Sequence, residues 1–237
     1  MLSVYRLTLR QLSGRSRLAI MTILAVMPLI ITVLMLTEHE APSVLGFETF
    51  ILSGMLLGSI VPLVVLAIAA AAFGNEIEDR TLANLTLSPI ARWRISVPKL
   101  LATITIAAPL VALSALSTAH FAFLGEWTAT IAITVAAVAA VAMYASLFVW
   151  LGLVSAQAIG LGLLYVVLWE GFFSQFVSGV RLLSIRHYAI ALMHGLDERR
   201  FAATDHPSLA VALILVTLVI VGFSLLSVRH LRKMDVP

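Results

Sequence analysis

The chain has no cysteine, so it can form no disulfide framework, thiolate metal site or catalytic thiol. Charge is nearly as scarce. Fifteen Lys and Arg and twelve Asp and Glu make up only 11% of 237 residues, too few to solvate the surface of a soluble domain of this length. The net charge of +3 does not indicate nucleic-acid binding, because the bases lie at the ends of apolar runs and not on one face. No HExxH zinc helix occurs. Ile51-Leu52 precede Ser53-Gly54, so the GxSG pattern of a serine nucleophile fails at its first glycine. No GxxxxGK[ST] phosphate loop is present, nor a soluble segment to hold one.

What the chain has is apolar length. It is 61% hydrophobic with a mean hydropathy of +1.07, and runs of about 18 or more apolar residues recur, each sufficient to cross a hydrocarbon core of about 30 Å as a helix. These runs predict an all-α polytopic membrane protein with six transmembrane helices, at 18–36, 49–73, 99–123, 128–154, 158–176 and 208–228. A tight turn at Ser155–Gln157, flanked by Gly152, Gly160 and Gly162, separates the fourth and fifth, which are too long together for one crossing. With the N-terminus inside, the inner segments carry 11 of the 15 bases, and the first outer loop is acidic without Lys or Arg. Both termini are therefore expected in the cytoplasm. Arginines spread over residues 6 to 17, with no small-residue cleavage site after the first run, argue against a cleavable signal peptide.

Two segments read as helices that do not cross. Leu2, Tyr5, Leu9 and Leu12 form one stripe beside Arg6 and Arg10, which predicts an amphipathic interfacial helix within residues 1–17. Ser178–Leu196 is too apolar for a free loop and too polar for a span. It predicts a short re-entrant or interface-lying helical hairpin within the outer region 178–206. The chain is read as a single transmembrane domain over 1–237.

Ionisable residues inside spans mark candidate sites. Glu170, in LWEGFF, lies about two turns from the outer end of the fifth span, where water can reach it. It must face the bundle, water or a partner, so a pathway or gating role stands beside the commoner structural hydrogen-bonding role. His187 and His194 share a helical face with Asp197 nearby, a weak metal-ligand pattern that water-facing interfacial residues explain better. His120 reads as a packed or interfacial histidine. Gly54 and Gly58 form a GxxxG whose simplest use is packing inside one subunit. Asn84-Leu85-Thr86 matches a glycosylation acceptor, but its cytoplasmic placement makes this coincidental.

The strongest signal is a polar island from Gly74 to Lys99, between the second and third spans. It holds Glu76, Glu78 and Asp79 together with Arg80, Arg92, Arg94 and Lys99. Glu76 to Leu87 can form a helix with acids in its first turn, Leu82 and Leu85 on one face, and Ser88-Pro89 as its stop. A short basic-aromatic segment, Ala91–Ile95, then leads through Ser96-Val97-Pro98 into the third span. Headgroup anchoring alone accounts for Arg92 and Arg94 but not for the acidic turn before them.

Phe73-Gly74-Asn75-Glu76-Ile77-Glu78-Asp79-Arg80-Thr81-Leu82, then Leu87-Ser88-Pro89-Ile90-Ala91-Arg92-Trp93 and Lys99-Leu100, resembles the loop after the second span of type-2 ABC exporter permeases. Gly162-Leu163-Leu164-Tyr165 through Leu168-Trp169-Glu170-Gly171, with Leu183-Ser184-Ile185-Arg186-His187-Tyr188, resembles the fifth span and outer helices of a bacterial subgroup of that family. Two departures stand out: Pro98 where the family often has glycine, and an inner turn at 155–157 without basic residues. The resemblance implies a cytoplasmic coupling helix in the loop 74–98, seated on a separate ATP-binding cassette subunit. Glu76, Glu78, Arg80, Thr81, Leu82, Leu85, Pro89 and Arg92 would contact or shape it. It further implies a second permease copy or paralogue, ATP and magnesium on the partner and no cofactor in this chain, in the inner membrane of a prokaryotic cell. The chain would then be a transport subunit and no enzyme. A secondary transporter is the alternative, though neither inverted repeats nor broken midplane helices stand out. An intramembrane enzyme is a weaker one.

Overall fold

The computed structural model describes residues 2–37, 44–78, 91–155, 157–173, 184–201 and 207–233. Among them every regular element is helical: α1 (Leu2–Leu12), α2 (Arg15–Thr37), α3 (Val44–Phe47), α4 (Glu48–Ile60), α5 (Val61–Glu78), α6 (Trp93–Ala122), α7 (Trp127–Val154), α8 (Ala158–Leu164), α9 (Tyr165–Phe173), α10 (Ile185–Leu196) and α11 (Leu209–Lys233). Five stretches are long and apolar enough to cross a membrane: Arg15–Thr37, Leu45–Gly74, Trp93–Ala122, Trp127–Val154 and Leu209–Lys233. The predicted fifth span differs. Its described part, Ala158–Phe173, is shorter than the other five, and its expected end falls among residues 174–183, outside the described residues.

Burial sorts the helices. The Leu45–Gly74 stretch is 83% buried over its most apolar window, against 11% for α11, so the former forms the centre and the latter lies on the outside of the bundle. The alanine-rich patches explain why the centre is tight. Ala69 and Ala72 on α5 and Ala136, Ala137 and Ala140 on α7 are fully buried, and small side chains let backbones approach closely where no hydrophobic effect drives association. A Cβ at Gly152 would lie 3.0 Å from the Ala70 carbonyl oxygen, and one at Gly162 only 2.2 Å from Leu66. These two glycines set the approach of α7 and α8 to α5.

Two helices have wide turns. α4 and α9 are π-helical, with i to i+5 bonding, and Ser59 Oγ accordingly donates to the Gly54 carbonyl five residues back at 3.2 Å. Gly58 belongs to this region. A Cβ there would come within 2.9 Å of Arg186 Nη1, so Gly58 admits a side chain from α10, whereas a Cβ at Gly54 would meet the Thr49 carbonyl oxygen of its own helix at 3.2 Å.

Two helix boundaries and one packing face differ from the sequence expectation. α6 begins at Trp93 and runs through Pro98, so the third span and the basic-aromatic segment form one helix. The buried face of Ile95, Ser96, Lys99 and Leu100 outweighs the single hydrogen bond that proline removes. α5 continues through Gly74, so Glu76 and Glu78 lie at the end of that helix and not in the first turn of a separate one; a single glycine costs only about 1 kcal/mol in a helix interior and does not stop it. On α1 the packed residues are Thr8 and Leu12, with Tyr5 donating to or accepting from Thr105 Oγ1 at 3.0 Å, while Leu2 points away from the bundle. Where the turn is expected, α7 ends at Val154 and α8 begins at Ala158, and the Gln157 N–H donates to Ser155 Oγ at 3.1 Å.

Candidate functional site

Two buried charges organise the bundle, one near the loop that joins α5 to α6 and one toward the far end. Lys99, in the second turn of α6, is 1% exposed. Its Nζ donates to the Ala72 carbonyl on α5 and lies 4.4 Å from the centre of the Phe73 ring. A lysine can be buried only when its ammonium finds acceptors, and a helix carbonyl together with an aromatic face supplies both a dipole and a quadrupole. The residue after the loop thereby grips the helix end before it.

Glu170 is fully buried, contrary to the expected water access, and its carboxylate gathers three donors. Tyr165 Oη donates to Oε1 at 3.1 Å, Ser184 Oγ to Oε2 at 2.5 Å, and the Ile185 backbone N–H to Oε1 at 2.9 Å. Ser184 is the N-cap of α10, and its oxygen also accepts the His187 N–H at 3.2 Å. The carboxylate therefore occupies the positive end of the α10 dipole and binds α9 to α10. The π-helical turn is what brings Tyr165 to Glu170. On an α-helix residues five apart lie about 140° apart around the axis, whereas i to i+5 winding stacks them. Tyr144 of α7 is fully buried within electrostatic reach of Glu170 and Arg186. On α10, burial raises the Tyr188 phenol above its ordinary pKa, so it remains a neutral hydrogen-bonding group.

A second polar knot closes the far end. His194 Nε2, near the end of α10, pairs with Glu48 Oε1 at the start of α4, and its ring stacks on Phe201 at 5.7 Å. Phe123 meets both Phe47 and Phe201 edge-on, while Arg200 bonds Glu126 at 2.9 Å and lies 5.0 Å over the Phe123 ring. Leu124 and Gly125 take positive φ in the turn beside them. His194 thus faces a carboxylate on another helix. Asp197 is the C-cap of α10 and accepts the Arg200 N–H at 3.3 Å, and His187 is engaged through its backbone at Ser184. No cluster of three potential metal ligands forms among the described residues. His120 packs at 5.3 Å from Trp127.

Of the residues expected to form the coupling element, Arg92 is the N-cap of α6 and half-buried, and Glu76 and Glu78 are placed by backbone only. Arg80, Thr81, Leu82, Leu85 and Pro89 lie outside the described residues. Sequence reasoning found Glu170 but missed Tyr165, Tyr144, Arg186 and the Glu48–His194 pair. Ser184 carried a usable signal, a serine directly before an apolar-periodic run. The others are joined by helix pitch or by long-range packing.

The geometry is that of a membrane bundle in which buried ionic groups fasten helix ends, and a family model described as ABC-2 family transporter protein matches residues 14–184. The chain belongs to the ABC-2 transporter family. The match takes in Lys99, Glu170 and the whole loop between α5 and α6, and ends at the N-cap of α10. No curated protein matches the chain. As an ABC-2 permease it is a transport subunit of a multi-pass membrane kind, and permeases of this family work with an ATP-binding cassette subunit.

Proposed function

We propose that this chain is the membrane-spanning subunit of an ATP-driven exporter, carrying substrate by alternating access while a separate subunit binds ATP and magnesium. The observation that carries this reading is the anchoring of the loop. Lys99 after it holds the Ala72 carbonyl before it, so a push on residues 74–91 reaches two adjacent spans together. Glu76, Glu78, Arg80, Thr81, Leu82, Leu85, Pro89 and Arg92 form the docking element in this account. A second permease, identical or paralogous, completes the pathway. Residues 158–176 make a sixth crossing, residues 1–17 lie in the inner interface, and α10 belongs to a re-entrant outer hairpin. The loop and both termini then face the cytoplasm of a prokaryotic cell, across its inner membrane. Glu170, bound to the start of α10, acts at the outer gate by holding that helix to the fifth span.

The test is charge reversal. Glu76→Lys with Glu78→Lys should leave the protein inserted in the membrane while its ATP-binding partner no longer responds to it. Full copurification and undiminished coupled ATP hydrolysis in the double variant would remove the coupling role. Transport that survives ATP depletion and collapses with the proton gradient would favour a secondary transporter.

A further inference from the structure

A cleft of about 310 Å³ opens between α2, α5 and α8, reaching Gly74 at the start of the loop and lying apart from Glu170. Arg17 stands in the first turn of α2, Gly74 near the end of α5 and Ala158 at the start of α8, so all three mark the same membrane end. From Arg17 the lining passes through Ile20 to Leu24, about 10 Å along α2 at 1.5 Å per residue, against a floor of alanines that includes Ala70. Arg17 is the one charged residue among the described residues lining it. Its Nη1 is buried and makes no hydrogen bond within the described residues. Arg92 Nη1 and Arg200 Nε are likewise buried without a hydrogen bond, but neither residue lines the cleft, whereas the buried charges of Glu170 and Lys99 are partnered. A buried guanidinium nitrogen without a partner is costly and calls for an anion.

We infer that this cleft holds an anionic phospholipid, with its headgroup phosphate on Arg17 and an acyl chain along Ile20 and Leu24. Three features favour a lipid over a free anion or a second copy of the chain. Among the described residues the lining apart from Arg17 is apolar, which offers a free phosphate nothing there beyond one contact. The cation sits at headgroup level and the apolar slot extends from it toward the membrane interior, the polarity of a phospholipid. The volume is at the small end of ligand pockets and suits a narrow chain. The inference concerns a retained lipid and does not rest on the transport reading.

Native mass spectrometry of the delipidated full chain, offered equal dioleoyl phosphatidylglycerol and dioleoyl phosphatidylcholine, tests it. The wild type should retain phosphatidylglycerol about fivefold over phosphatidylcholine, the preference expected from one arginine at the headgroup plane. Arg17→Gln should bring that ratio near one. Gly74→Leu should lower retention of both lipids, since a side chain there meets nothing within 4 Å and enters the cleft. Arg15→Gln, a change outside the lining, should retain the wild-type ratio. The inference fails if Arg17→Gln keeps the preference, if Gly74→Leu binds as the wild type does, or if inorganic phosphate alone displaces the lipid. It fails equally if a cysteine at position 20 cross-links to a second copy in lipid-free protein, which would make the cleft a subunit contact.

Discussion

Lys99 and Glu170 are both buried, yet the chain secures them differently. Lys99 works across a short gap in sequence, joining the two helices that flank one loop through a carbonyl and a ring. Glu170 works across the end of a wide-turn helix, receiving a phenol, a serine hydroxyl and a backbone N–H at a helix start. The first is a strut at the point where force would enter, the second a clamp on the helix that would move. A point charge on a flexible stem tolerates small displacements of its carbonyl, whereas three directed hydrogen bonds fix one geometry. In the proposed account the loop end would transmit motion, while the far end keeps α9 and α10 together.

That contrast makes graded expectations for unfolding in mixed micelles. Glu170→Leu should cost most, on the order of 3 kcal/mol, because three donors lose their acceptor in an apolar interior. Glu170→Gln retains an acceptor and should cost markedly less; equal losses would mean that packing and not hydrogen bonding holds the clamp. Lys99→Met preserves the stem while removing the ammonium, with an expected loss of about 1–2 kcal/mol. A loss at Lys99 as large as that at Glu170 would erase the distinction between strut and clamp. His194→Ala should cost about 1 kcal/mol through its bond to Glu48 and its stacking on Phe201. Arg200→Ala should be smallest, below about 0.5 kcal/mol, since its pair with Glu126 is partly exposed and screened.

Hydropathy made much of the architecture readable. The five long apolar helices, the break between α7 and α8, the helix following Ser184 and the candidacy of Glu170 all follow from residue type and spacing. Helix pitch did not. Nothing in Tyr165–Phe173 announces a π-helix, and reading it with 3.6 residues per turn separates Tyr165 from its carboxylate. Pairing across the fold was equally silent: Glu48 and His194 stand 146 residues apart and meet because α4 and α10 pack together. Proline at position 98 suggested a span start that the burial of Ile95 and Lys99 overrides.

The central claim is that events at the loop end move the far end. The absence of native cysteine makes single-site labelling clean. Spin labels at Leu124 and Leu196, both exposed at the far end, would report the distance between the α6–α7 turn and the end of α10 in the complex with the ATP-binding partner. A shift of several Å in that distance on trapping nucleotide, lost in the Glu76→Lys and Glu78→Lys double variant, is the predicted result. An identical distance distribution with and without nucleotide would contradict the account.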